Sequence, residues 1–347
     1  MLKTKPFDEF ESLILRKREN IHHFVHTTFS VKSPHQQIIG GIEYNRLHLL
    51  FDSVLHVESG PEYNVMVISW IINYGHTHLL QEIVNHVECN KYSISLVFGS
   101  DAMANGRMLS LGCYSNNLDM VELILKYVDP KCIDIDFTST CASCMIPRSV
   151  NAHVTPLIVA CSIGNLRIVK LLLRNHADIN KCNRWNESPL STASNHGHCE
   201  VVKCLLNFGA DINLGNSLGQ SPLFVASQGG YYDVVKCLLS SGADINLGDS
   251  LGQSPLFGAS QRGYCDIVKC LFSYGADINL CDISERSPLL VTSTEGHCDV
   301  VKCLLSSGGD INGCYISEQS PLFVASQKGH CDVVKCLLSS GCSYQFV

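Results

Sequence analysis

Ser221-Pro222-Leu223-Phe224-Val225-Ala226-Ser227-Gln228-Gly229-Gly230 reads as one short helix with both of its ends written into it. The serine is a good cap, and proline at the first helical position gives up a donor that would be unpaired anyway. Leu223, Val225, Ala226 and Ser227 make a small, mostly apolar face, and the glycine pair supplies a left-handed exit. A second helix is expected from Asp233 to Ser240. Its Val234, Val235, Cys237, Leu238 and Leu239 are too many apolar positions for a helix covered on one side only. Gly242-Ala243-Asp244-Ile245-Asn246 then leaves the helix, and Leu247 to Gln253 reads as an extended turn.

The same wording returns along the chain. Thr155-Pro156-Leu157 reappears as Ser-Pro-Leu at Ser188, Ser221, Ser254, Ser287 and Ser320, each time 33 residues later. A unit of that size cannot bury its own apolar faces and needs a copy of itself on each side. The expected architecture is an all-α solenoid of helix-turn-helix repeats joined by β-hairpin-like turns.

These residues resemble the ankyrin repeat, whose wording is Gly-x-Thr-Pro-Leu-His, Gly-His, Val-Val, Leu-Leu and Gly-Ala-Asp-x-Asn. The resemblance covers residues 152 to about 342 as six units. Two departures stand out. The family's His after Thr-Pro-Leu is Ile158, Ser191, Phe224, Phe257, Leu290 and Phe323 here, so its hydrogen bonds are replaced by apolar and aromatic packing. The family's second-helix leucine is Cys204, Cys237, Cys270, Cys303 and Cys336.

Upstream the pattern weakens. Arg107-Met108-Leu109 through Asn116 to Val121, Leu123, Ile124 and Leu125 aligns with Thr155 through Gly164 to Val169 and Leu173, with an insertion near Pro130 to Val150. A fainter copy lies at Ile68 to Val84, with Gly75 between its helices. The expected organisation is a helical segment at 1–60, divergent repeats with the insertion at 61–151, and six repeats with a short tail at 152–347. Phe7, Phe10, Leu13 and Ile14 give the first segment its helical period, and Ile21 to His26 resembles segments that join signalling NTPase domains to ankyrin tails. No Gly-x-x-x-x-Gly-Lys-Ser/Thr phosphate loop is present. After Leu337 and Leu338 no polar capping sequence follows, and Tyr344, Phe346 and Val347 are expected to fold over the exposed end.

Composition narrows the function. The 347 residues carry a net charge of −7, and no basic block exceeds Arg16-Lys17-Arg18, which argues against nucleic acid as partner. The longest apolar stretch, Val65 to Ile72, is too short to span a bilayer, and Met1 to Glu11 is no signal peptide. The 19 cysteines mostly recur one repeat apart. Packed helices lie about 8–10 Å apart, more than the roughly 7 Å a disulfide tolerates between Cα atoms. They therefore read as reduced, buried thiols of an intracellular, cytoplasmic or nuclear protein.

Several motifs imitate chemistry. Gly215-Asn216-Ser217-Leu218-Gly219 and Gly248-Asp249-Ser250-Leu251-Gly252 match the nucleophile elbow, but they fall on turn tips without the strand that an elbow needs. His198-Cys199 with Cys204, His297-Cys298 with Cys303, and His330-Cys331 with Cys336 place thiols five residues apart, on different helix faces. His22, His23 and His26 read as a polar helical face. Cys141-Ala142-Ser143-Cys144, with Cys132 and His153 nine residues to either side, has zinc-ligand spacing; the reading preferred here is a loop with free thiols. No enzyme activity and no cofactor are expected.

The resemblance also implies acceptor positions for asparagine hydroxylation at Asn180, Asn213, Asn246, Asn279 and Asn312, where an unmodified Asn would hydrogen-bond the turn backbone. It implies a protein partner, bound on the concave side by residues free of core duty. Those positions are Arg184, Trp185, Glu187, Asn195, His196, Leu218, Gln220, Gln228, Leu251, Gln253, Gln261, Arg262, Arg286, Glu295, Gln319, Gln327 and Lys328. Trp185 is the expected anchor, because exposed aromatic and Arg side chains dominate interfaces. The expected role is a monomeric, non-catalytic scaffold or adaptor. Its alternatives are a substrate-recognition subunit of a ubiquitin ligase, for which no F-box or SOCS box is legible, and a regulatory tail of a signalling NTPase.

Overall fold

Every Ser/Thr-Pro-Leu opens a helix in the computed structural model, which describes Ile68 and residues 71–72, 77–89, 102–128, 133–136, 154–311 and 319–341. Thr155, Ser188, Ser221, Ser254, Ser287 and Ser320 each accept, through the side-chain oxygen, a hydrogen bond from the amide three residues on. Five of the six helices then stop at a glycine in the left-handed region, from Gly164 at φ 81° to Gly329 at φ 76°.

The chain divides into two compact units: Met1–Ile68 with His78–Gly99, and Ser69–Thr77 with Ser100–Val347. In the first, helix α1 (Thr77–Cys89) buries Leu80, Ile83, Val84 and Val87 at helical spacing. The second unit holds fourteen of the fifteen helices found among the described residues. They are α2 (Ala102–Tyr114), α3 (Leu118–Tyr127), α4 (Pro156–Ile163), α5 (Leu166–Arg174), α6 (Pro189–Asn195), α7 (Cys199–Asn207) and α8 (Pro222–Gly229). After these come α9 (Tyr232–Ser240), α10 (Pro255–Arg262), α11 (Cys265–Ser273), α12 (Pro288–Glu295), α13 (Cys298–Ser306), α14 (Pro321–Lys328) and α15 (Cys331–Ser339).

Packing within this unit has two layers. First helices touch first helices in order from α2 to α14, second helices touch second helices from α3 to α15, and each pair closes on itself. The divergent pair α2 and α3 packs on α4 and α5 in the same way, so the stack of helix pairs starts ahead of residue 152. The core is the seam between the layers. Leu157, Leu190, Leu223, Leu256, Leu289 and Leu322 from the first layer meet Val169, Val202, Val235, Val268 and Val301 from the second, all at most 1% exposed. The position after Ser/Thr-Pro-Leu carries Phe224 and Phe257 at zero exposure, and Ile158, Ser191 and Leu290 nearly so. Phe323, in the last repeat, is 47% exposed.

Two sets of bonds tie each repeat to the next. His198, His297 and His330 reach back through Nε2 to the carbonyls of Ser162, Gln261 and Thr294 at 2.9–3.1 Å. A carbonyl only accepts, so Nε2 carries the proton in all three. Each ring lies on the left-handed glycine of the preceding repeat: a Cβ at Gly263 would come within 2.7 Å of the His297 ring. Tyr231 and Tyr264 cover Gly197 and Gly230 in the same manner. The second set is a ladder of asparagines. Asn180, Asn213, Asn246 and Asn279 each accept through Oδ1 from the amide of Asp211, Asp244, Asp277 and Asp310, at 2.9–3.0 Å. Asp136, at the described part of the insertion, does the same for the Asp178 amide.

Gly75, expected between the helices of the faint copy at Ile68 to Val84, lies outside the described residues. So do residues 1–60 with His22, His23 and His26, the ligand set Cys132, Cys141, Cys144 and His153, Asn312, and Tyr344, Phe346 and Val347.

Candidate interaction surface on the turn tips

The turns between repeats are built by one buried or half-buried Asn or Asp each. Asn183 Oδ1 accepts from the amides of Trp185 and Glu187, Asn216 Oδ1 from Leu218 and Gln220, and Asp249 Oδ1 from Leu251 and Gln253. Asp282 Oδ1 accepts from Ser284 and Arg286. All eight bonds measure 2.9–3.0 Å. With its backbone satisfied internally, each tip can project apolar side chains without leaving polar groups unpaired.

Neighbouring tips are joined by one backbone bond apiece: Ser217 N–H to Trp185 O at 2.8 Å, Ser250 to Leu218 at 2.8 Å, and Ile283 to Leu251 at 2.9 Å. That fixes their register. The result is a row of large apolar side chains, Trp185, Leu218, Leu251 and Ile283, exposed by 44, 56, 47 and 67%. The Arg184 guanidinium stacks over the Trp185 ring at 5.1 Å, holding it partly in place.

Among the residues expected to face outward, Arg184, Asn195, His196, Arg262, Glu295, Gln327 and Lys328 are exposed, whereas Gln228, Gln261 and Gln319 are half-buried. His196 is tethered through Nδ1 to the Thr192 carbonyl at 2.8 Å. The four residues that follow each tip behave differently, and here the expectation needs correction. Gln253 is only 9% exposed. Its register partners are spent on closing their own turns: Glu187 accepts from Asn183 Nδ2 at 2.7 Å and Gln220 from Asn216 Nδ2 at 3.1 Å. Arg286 pairs with Asp282 Oδ2, whose side chain is 1% exposed, and lies over the Phe257 ring at 5.5 Å. These side chains brace the turn because the residue four after the Asn or Asp sits directly across it. The sequence row also missed Ile283, the most exposed large apolar residue of the four tips. It replaces the serine of Ser217 and Ser250 in register, and that break in the period was the available signal.

The catalytic look-alikes resolve into structure. Ser217 and Ser250 occupy tips, and their amides join the inter-tip bonds. Among the described residues no group of three or more His, Cys, Asp or Glu is placed to hold a metal ion. No described helix is long and apolar enough to cross a membrane.

Helix pairs repeated at a fixed period, stacked in two layers with paired turn tips, define an α-helical repeat protein of the solenoid class. The family described as ankyrin repeats (three copies) matches residues 157–249 and 256–346, more than half of the chain, which therefore belongs to the ankyrin-repeat proteins. No curated protein matches it.

Proposed function

We propose that this chain is a non-catalytic scaffold or adaptor that binds a protein partner along its turn tips. Ankyrin repeats in general are protein–protein interaction modules. The observation that carries the reading here is the row Trp185, Leu218, Leu251 and Ile283, four consecutive tips held in register. Their turns are closed internally, so they gain nothing in stability from carrying apolar side chains in water. Contiguous exposed apolar surface on a soluble domain marks an interface. Trp185 is the anchor of the row, with Arg184 over its ring; Arg262 and Lys328 at the ends of α10 and α14, with Asn195, His196, Gln228, Gln261, Glu295, Gln319 and Gln327, are the polar and charged positions proposed to extend the surface. The Asn180, Asn213, Asn246 and Asn279 side chains are proposed as hydroxylation acceptors; native protein carrying no added oxygen on these residues by mass spectrometry removes that assignment.

The test is affinity capture from the source cells with wild-type protein, a Trp185→Ala/Leu218→Ala/Leu251→Ala variant, and a Lys236→Ala variant altered on a second helix. A partner that depends on the tips is lost by more than about tenfold with the triple variant and retained with Lys236→Ala. Equal retention by all three, with helicity unchanged, refutes the tip row as the binding surface.

A further inference from the structure

The second helices bring cysteines together at a spacing the 33-residue period conceals. Each of α7, α11 and α13 begins with a cysteine, and its thiol points toward the next second helix. Cys199 Sγ donates to the Asp233 carbonyl at 3.6 Å, Cys265 to Asp299 at 3.8 Å, and Cys298 to Asp332 at 3.7 Å. Those carbonyls lie one helical turn before Cys237, Cys303 and Cys336. Cys237, Cys303 and Cys336 line the same inter-helix grooves as Cys199, Cys265 and Cys298, one pair to each groove. All six are free and half-buried, so they are within reach of solvent.

We propose that these three inter-repeat thiol pairs, Cys199–Cys237, Cys265–Cys303 and Cys298–Cys336, are redox sites that form disulfides with peroxide as oxidant and so clamp each repeat to its neighbour. The chemistry balances in two steps. The sulfur of the first cysteine attacks one peroxide oxygen, the O–O bond breaks, and a sulfenic acid forms with release of one water. The second sulfur then attacks the sulfenic sulfur, the S–O bond breaks, and the disulfide forms with release of a second water. Two thiols lose two electrons, and hydrogen peroxide gains them.

Three features fit this assignment. Lys203, Lys269 and Lys302 share the grooves with Cys199, Cys265 and Cys298, each one turn further along the same helix. A cation beside a thiol favours its reaction with electrophiles. Open grooves between successive second helices are lined by the pairs with their lysines, which gives a small oxidant access. The series also contains its own break: the position that would pair with Cys270 is Tyr232, which lines the same groove.

The experiment oxidises the folded protein with hydrogen peroxide, quenches in acid, alkylates the remaining thiols and maps the unreduced tryptic peptides. Cleavage after Lys203, Lys269 and Lys302 separates Cys199 from Cys204, Cys265 from Cys270 and Cys298 from Cys303, so each link is assigned without ambiguity within a helix. The proposal expects the three named links to exceed any link to Cys204 or Cys270 by at least about tenfold, the proximity advantage of preset partners. Cys237→Ser should abolish its own link and leave the other two, while Tyr232→Cys should add a fourth link, to Cys270. Uniform scrambling, isolated sulfinic or sulfonic acids, or thiols that all survive treatment sufficient to oxidise free cysteine each overturn it. Failure of Tyr232→Cys to link in a variant with native circular dichroism counts against the register itself.

Discussion

Phe257→Ala and Phe323→Ala are the same chemical change at the same position of two repeats, yet they should differ severalfold in cost. Phe257 has zero exposure, packed inside the stack with the Arg286 guanidinium over its ring. Truncation there removes the transfer energy of the ring and leaves a cavity that α10 and α12 cannot fill without moving, which for buried Phe→Ala costs about 3–5 kcal/mol. Releasing Arg286 adds roughly 0.5–1 kcal/mol from the lost cation–π contact. Phe323 stands 47% in water. Half of the roughly 1.5–3 kcal/mol of a fully buried large side chain is about 1 kcal/mol, with no cavity to add. The gap between the two variants is therefore about 2.5–5 kcal/mol.

Urea unfolding followed by far-ultraviolet circular dichroism measures both, provided the slope of free energy against denaturant is unchanged, since repeat arrays can lose cooperativity from their ends. Equal losses for the two variants, or a loss under about 1.5 kcal/mol for Phe257→Ala, would refute the idea that aromatic packing has taken over the place of the family's histidine.

Other expectations follow from the bonds between repeats. Gly263→Ala forces a Cβ to within 2.7 Å of the His297 ring at φ 79°, whereas Gly242→Ala at φ 88° meets nothing within 4 Å. Both carry the left-handed strain of about 1–2 kcal/mol, and thermal melting should show the further loss only for Gly263→Ala. Asn246→Ala deletes the 3.0 Å bond from the Asp277 amide and should cost about 1 kcal/mol in urea unfolding. Ser254→Ala removes the cap that accepts from Phe257 at 3.2 Å, worth about 0.5–2 kcal/mol in the same assay. Trp185→Ala, at an exposed tip, should change stability by less than about 0.5 kcal/mol; a larger loss would mean the ring is structural.

The fold was legible because its signals are local and repeated. Ser-Pro-Leu fixes a helix start through a cap and a proline within four residues, and the same local event occurs at Ser188, Ser221, Ser254, Ser287 and Ser320. The tip row was legible only in part. Period shows that Gln220, Gln253 and Arg286 share a position, but not that the carboxylate or amide four residues earlier draws that position inward. That is a through-space fact of the turn. Gln253 thus read as free while being buried, and Ile283, absent from the expected row, is the most exposed of the four.

The cysteine pairs show a deeper limit. Comparing equivalent residues sets Cys204 beside Cys237 and finds helices too far apart to bridge. Neighbouring second helices instead meet along a diagonal. The first residue of one helix faces the first turns of the next, which adds five residues to the period and sets Cys199 in one groove with Cys237. The same diagonal sets Cys265 with Cys303, Cys298 with Cys336 and Tyr232 with Cys270, each pair lining one groove. A side chain at a helix start therefore interacts with the next repeat at a shifted position, so inter-repeat chemistry has to be sought at period plus offset. The turn tips obey the same logic: Trp185 bonds to Ser217, one residue short of its equivalent, Leu218. The tips are joined by their own backbone bonds, so substitutions in the thiol series should leave the tip register intact.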